Sequence, residues 1–370
     1  MPSILNLTPR LLLLALAAAP LAAPVARAAA TDHLICASEN DSYYIKANGS
    51  FWGRGYNHDG QLGWDSAITL WPARQIESNS VASVSANSWF TVFLKTDGSL
   101  WGMGNNSGGQ LGGGSTPKFF RATKLVENGV TAIATAHDAT YFVKVDGSVW
   151  EMASRLGPSK ILAGGARDVA AGFGHVVILM QDGSVMTGGS NSNGQLGDGT
   201  KTSRVALAKI INSGVIAIAA AGQNSAFLMS DHSLWLCGYG FFGQLGLGNN
   251  TDQLKPVKAV SSNVVSVALG YGYSLFLKDD GSVWGSGMNS CYQLASTNAS
   301  KPIYAFIQVM PGGVNAISAG YQHDLFIKTD GSLWGVGRSG AGEFTDPHVQ
   351  RTNIPVQIES AGTMKVVTPL

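Results

Sequence analysis

Along this chain one phrase returns seven times: an apolar segment, often closed by Lys, then Asp-Gly-Ser, an aliphatic residue and Trp. The copies centre on Gly49, Gly98, Gly147, Gly183, Gly281 and Gly331, with His232 standing in for the fifth glycine. Their spacings are 49, 49, 36, 49, 49 and 50 residues. Only the third unit is short. It lacks the segment that elsewhere follows the Trp as Gly60-Gln61-Leu62-Gly63, Gly109-Gln110-Leu111-Gly112, Gly194-Gln195-Leu196-Gly197 and Gly243-Gln244-Leu245-Gly246. Eroded copies stand at Tyr292-Gln293-Leu294-Ala295 and Gly342-Glu343-Phe344. A unit repeated at such a period cannot bury its apolar face alone, so the way it stacks decides the fold.

Within a unit the chemistry is all β. A strand such as residues 314–318 leads through Ala319-Gly320 to a second strand, 325–328, and the Asp-Gly pair then supplies the positive φ angles of a tight hairpin. A third strand carries Leu333 and Trp334, beside glycines such as Gly335 and Gly337 that admit a neighbouring backbone. A fourth, as at 256–260, opens on Pro256, which an outer strand tolerates. Four short antiparallel strands repeated radially predict an all-β, seven-bladed β-propeller whose third blade is shortened. Six of the nine tryptophans occupy one repeat position, which reads as core filler. The inner strand has eight in-phase copies for seven hairpins, at 34–37 and 364–367 among others, so one end of the chain is expected to complete a blade begun by the other.

Residues 1–30 differ in kind. Arg10 precedes an apolar run over 11–23 that ends in small residues around Ala26, Ala28 and Ala30, the pattern of a cleavable signal peptide ahead of a propeller over 31–370. Such a run spans about 20 Å of helix against a hydrocarbon core of about 30 Å, too short to cross a membrane. A secreted or periplasmic protein without a membrane span is expected. A net charge of +1, with Lys and Arg scattered, offers no basic stripe to nucleic acid. The three cysteines, Cys36, Cys237 and Cys291, are odd in number and widely spaced, and read as structural thiols.

Signals for catalysis are thin. The seven histidines form no HExxH, and neither a Gly-x-Ser-x-Gly elbow nor a Walker loop occurs. No catalytic residue, metal or cofactor is expected. Asp59, Asp138, Asp324 and Glu343 are the loop acids from which a glycosidase pair could assemble. In a four-stranded meander the first and third connections emerge at one end, so the Ala-Gly and Gln-Leu-Gly loops share a face. That face varies between blades and is rich in aromatics, Asn and His, whereas the hairpin face repeats Asp-Gly-Ser. Variable loops on a rigid frame are where recognition is written.

Ala-Gly-x-x-His at Ala171 to His175 and Ala319 to His323, the Asp-Gly-Ser-x-Trp turns and the Gly-Gln-Leu-Gly loops together resemble the regulator of chromosome condensation 1 repeat, over nearly all of 31–370. The founding member is a nuclear exchange factor for the GTPase Ran that also binds chromatin. This chain departs from it in its N-terminal segment, in having no basic tail and in showing no inserted wedge hairpin. It is similar in layout to a secreted inhibitor of β-lactamases with the same repeat. That similarity implies a partner-binding face at Trp89, Phe90, Phe173, Tyr271, Tyr273 and Tyr321 after the Ala-Gly positions, and at Tyr56, Phe241, Phe242 and Tyr292 before the Gly-Gln positions. The reading is an extracytoplasmic protein-binding module. A carbohydrate-binding propeller is the alternative, followed by a polysaccharide-acting enzyme or a guanine-nucleotide exchange factor.

Overall fold

The computed structural model describes residues 34–65, 70–299 and 301–367; the signal-peptide segment lies outside them. Within these residues there is no helix, and seven sheets of four consecutive antiparallel strands form seven blades, at 35–77, 81–126, 130–162, 166–211, 215–260, 264–310 and 314–359. The four named strands of every blade are consecutive in the chain, so the repeat phase maps directly onto the blades. The expected seven-bladed propeller is the fold.

The core lies between blades. At one register of the second strand each blade buries a large side chain, among them Tyr44, Phe93, Phe142, Phe227 and Phe326, all essentially without exposure. Each such burial is worth about 1.5–3 kcal/mol relative to an exposed ring.

The repeated tryptophans line the edge of this core. All six are half-buried, and their indole N–H groups explain the repeated phrase. In blade 2, Asp97 Oδ1 accepts from Ser99 N at 2.8 Å and Ser99 Oγ at 2.6 Å, while Ser99 Oγ accepts from Trp101 Nε1 at 2.8 Å. Lys95 covers the ring face at 4.2 Å. The Asp-x-Ser-x-Trp relay recurs in blades 3, 5 and 7. The serine donors hold the carboxyls of Asp97, Asp146 and Asp330 below the usual carboxylate range. Each Trp therefore packs against the core with its ring and clamps a hairpin with its N–H. Blade 4 has Met186 in this place, so the buried Ser184 hydroxyl has no indole N–H to accept from.

Both termini close the ring. Ile35–Ala37 forms most of the inner strand of blade 1. Met364, only 3% exposed, pairs with Lys46 as Val81 pairs with Lys95 one blade on, and so supplies the start of that strand. The two surplus copies are two halves of one strand.

Blade 3 keeps four strands, though its third and fourth, Val149–Met152 and Ser159–Leu162, have only four residues each. Elsewhere a Gly-Gln loop covers the next blade; a Cβ on Gly109 would lie 2.3 Å from Ser154, and one on Gly194 2.6 Å from Leu254. With no such loop on blade 3, Val205 of blade 4 is fully exposed, beside a groove of about 530 Å³ lined by Tyr141, Glu151 and Gly188.

Candidate functional site: an aromatic face at the channel mouth

The seven inner strands enclose a central channel of about 250 Å³. Their pairing registers place one small side chain from each blade at a common level of its wall: Cys36, Ser85, Ala134, Ala170, Ala219, Ala268 and Ser318. Cys36, Cys237 and Cys291 are free thiols. Burial pushes the Cys36 thiol up to about 12, which keeps it protonated and a poor nucleophile.

At the mouth the first connections hold one another. Phe173 N donates to Gly222 O at 2.7 Å, Tyr271 N to Gly320 O at 3.1 Å and Tyr321 N to Ser38 O at 2.9 Å. On this frame five rings run in unbroken contact. Trp89 meets His137 edge-on at 4.4 Å, His137 meets Phe173 at 5.7 Å, Phe173 meets Tyr271 at 5.7 Å, and Tyr271 stacks on Tyr321 at 4.2 Å. Phe173 and Tyr271 belong to blades 4 and 6 and touch over blade 5, where Gly222 presents no side chain. Burial first, then the neighbouring Tyr271 and Glu39, push the Tyr321 hydroxyl up to about 12.

The third connections open on the same side, as the meander argument expects: Gln61 Nε2 donates to Ser88 O at 3.2 Å in the first connection of blade 2. Tyr239, Phe241 and Phe242 form a second cluster, with centroids 5.2–6.0 Å apart and Phe241 55% exposed. It adjoins the arc, since a Cβ on Gly272 would come within 2.9 Å of the Phe242 ring. Tyr56 stacks on His58 at 5.8 Å, and Tyr292 lies under Arg351 at 5.0 Å.

Two expected face residues are elsewhere. Phe90 and Tyr273 are buried, at 0% and 1% exposure, because each takes the repeat's histidine position, the first residue of the second strand, which points between blades. Tyr273 Oη donates to the Asp324 carboxylate. Conversely, His137 and Tyr239 belong to the face and were not expected there. His137 holds the position of Phe173 in the short blade but is not a carbon ring, and Tyr239 stands where Tyr56 stands in blade 1, four residues before the Gly-Gln pair.

The histidines of the repeat brace blades: His175 Nε2 lies 3.0 Å from Ser225 Oγ, and His323 Nε2 lies 2.9 Å from Ser42 Oγ across the ring closure. Of the loop acids, Asp324 and Glu343 are sealed at 0% exposure and burial pushes both carboxyls up. Asp59 is paired with Lys118 at 2.7 Å. Neither buried acid can reach a substrate, while Asp138 is exposed on the first connection of blade 3.

Family models described as the Regulator of chromosome condensation (RCC1) repeat match residues 231–277 and, separately, 81–110, 166–195 and 264–293. No curated protein matches the chain. Among solved structures, Prp20p from Saccharomyces cerevisiae, described together with its binding to Gsp1p and histones, is similar with a TM-score of 0.76 at 16% identity, over 89% of this chain and 88% of that one. Yeast RCC1 (Prp20) bound to Kap60 gives a TM-score of 0.74 at 17% identity, over 89% and 86%. Human WBSCR16 gives 0.50 at 19% identity, over 84% and 78%.

Proposed function

Because this chain is an RCC1-like seven-bladed β-propeller, we propose that it is an extracytoplasmic protein-binding module that grips its partner with the aromatic face at the channel mouth, and that it works by binding rather than catalysis. RCC1-like propellers bind proteins in general, as the Kap60 complex of Prp20 illustrates. The observation that carries the choice of face is the continuous arc from Trp89 to Tyr321 with the adjoining Phe241 cluster. Clustered, partly exposed rings on a rigid frame are the residues that dominate binding energy when desolvated. The hairpin face is uniform and charged by comparison. The extracytoplasmic setting is supported by the apolar run over 11–23.

The test is capture of proteins from the secreted and periplasmic fractions by residues 31–370. Replacing Trp89, Tyr271 and Phe241 together by Ala is expected to lower retention of the captured partner more than tenfold, since hot-spot rings each contribute about 2 kcal/mol or more, with the circular dichroism spectrum unchanged. Equal retention by the triple variant would remove the face from the account. An empty protein list combined with a hit on a glycan array would move the reading to carbohydrate, which the same rings could stack against.

A further inference from the structure

Two positions that elsewhere hold the Gly-Gln loop have changed in kind where blade 3 lacks it. In blades 3, 5 and 6 the second strand meets the preceding loop through a hydroxyl: Thr140 Oγ1, Ser225 Oγ and Ser274 Oγ donate at 2.7 Å to the carbonyls of Gln110, Gln195 and Gln244. The same register in blade 4 holds Val176. In blades 1, 2, 6 and 7 the loop's apolar side chain sits on a glycine of the third strand, where a Cβ on Gly53, Gly102, Gly285 or Gly335 would lie 2.6–2.7 Å from it. The same register in blade 3 holds Glu151, whose Oε1 accepts from Tyr141 Oη at 2.6 Å. The vacated place is therefore lined by Val176, Val205 and Leu207 together with the Glu151 carboxylate, which no cation pairs with among the described residues. Arg204, also at the groove, is engaged by Asp198 at 2.6 Å.

A turn of matching shape stands on the same blade. Ser154-Arg155-Leu156-Gly157 closes as the Gly-Gln-Leu-Gly loops close: Gly157 N donates to Ser154 O at 3.2 Å as Gly63 N donates to Gly60 O at 2.9 Å, and Gly157 has φ +96. In the loops that leucine is buried, whereas Leu156 is fully exposed, as Val205 is. Two large apolar side chains thus stand in water on the flanks of one short blade. Arg155 gives Nε and Nη2 to Ser107 O and meets no carboxylate among the described residues. The turn offers a leucine and an unpaired cation; the groove offers aliphatic side chains and an unpaired carboxylate. We propose that a second copy of this chain docks here, each turn entering the other's groove, with Leu156 against Val176, Val205 and Leu207 and Arg155 against Glu151. Turn and groove flank one blade, so a two-fold axis at its rim makes the contact self-complementary and closes it at two copies. The contact uses the rim of blades 3 and 4 rather than the aromatic arc, and it stands whether or not a different protein docks at the channel mouth.

Sedimentation velocity of residues 31–370 tests this directly. Small, partly polar interfaces hold at about 10 µM, so a reversible monomer–dimer equilibrium is expected across about 1–100 µM. Glu151→Lys and Arg155→Glu are each expected to stay monomeric, and an equal mixture of the two to dimerise, because the mixed pair contains one native and one reversed ion pair. Leu156→Asp and Val205→Asp change fully exposed residues, so they keep the test if Glu151→Lys, which loses the Tyr141 contact, does not fold. Each is expected to weaken association by about tenfold or more. The proposal is overturned by a wild type that stays monomeric over that range, even if the groove takes another protein, by charge variants that dimerise as the wild type does, by dimers that survive Leu156→Asp unweakened, or by folded charge variants whose mixture stays monomeric.

Discussion

Gly238→Val is expected to destabilise the propeller by about 3–5 kcal/mol, combining the cost of a side chain at positive φ with overpacking. Gly238 ends the third strand of blade 5 at φ +108, and a Cβ there would lie 2.1 Å from Gln223 O. That carbonyl cannot retreat, because it accepts from Tyr239 N at 3.0 Å and so anchors the first connection of the blade to the third. The same approach recurs at Gly104, where the carbonyl belongs to Trp89 itself, so the glycine spacing positions the face as well as the sheet. Gly248→Val is the control: its φ is +77, but nothing lies within 4 Å of its Cβ position, so only the backbone cost of about 1–2 kcal/mol applies. Denaturant midpoints for the two variants separate the terms, and equal losses would show that the close approach carries no energy.

The second large effect is acid sensitivity from the buried histidines. Burial lowers His175 to about 4 and, with Arg338 adding to it, His323 to about 3. A histidine whose folded pKa is depressed contributes stability that is intact above its unfolded pKa of about 6.5 and is lost as pH falls below it. At pH 5 each should cost about 2 kcal/mol relative to pH 7.5. Asp41, Asp324 and Glu343, whose carboxyls burial pushes up, act in the opposite sense, so the whole-protein profile is a difference of terms. The measurement is therefore a comparison with His175→Gln/His323→Gln, whose amide nitrogens retain the contacts to Ser225 and Ser42. Between pH 7.5 and pH 5 the wild type should lose about 4 kcal/mol more than the double variant. Parallel profiles would contradict it.

How far the sequence could be read follows from which properties have a period. Strand order, hairpin positions and the shared face of the first and third connections are periodic, and the spacing of Asp-Gly-Ser-x-Trp is enough to place them. The shortened blade even loses the glycine that its missing loop would require: Ala153 stands where Gly104 and Gly238 stand in other blades. Depth is not periodic in the same way. Trp101 reads as core by residue type, and its ring does stack on Phe93, yet its N–H must reach Ser99 and Lys95 covers its other side, which keeps it half-buried at the edge of the core. Phe90 and Tyr273 follow the Ala-Gly positions and read as face residues, but they occupy the strand position that His175 and His323 fill elsewhere, one or two residues past the loop. His137 shows the converse: it stands at the repeat position of Phe173, and only its residue type keeps it out of a set chosen for carbon rings. Ring closure was legible as a surplus strand, whereas its division between Met364 and Ile35–Ala37 required the pairing with Lys46.

The central claim, that the mouth face and not the hairpin face meets a partner protein, is tested most directly by site-specific photocross-linking. A benzophenone amino acid would replace Phe241 or Tyr56 on the mouth face, 55% and 40% exposed, or Val145 on the hairpin face, 74% exposed. Each variant would be irradiated in the secreted and periplasmic fractions of the source organism. The account predicts one protein species cross-linked through Phe241 or Tyr56 and absent from Val145. The same species trapped through Val145, or no adduct from either mouth position, would contradict it.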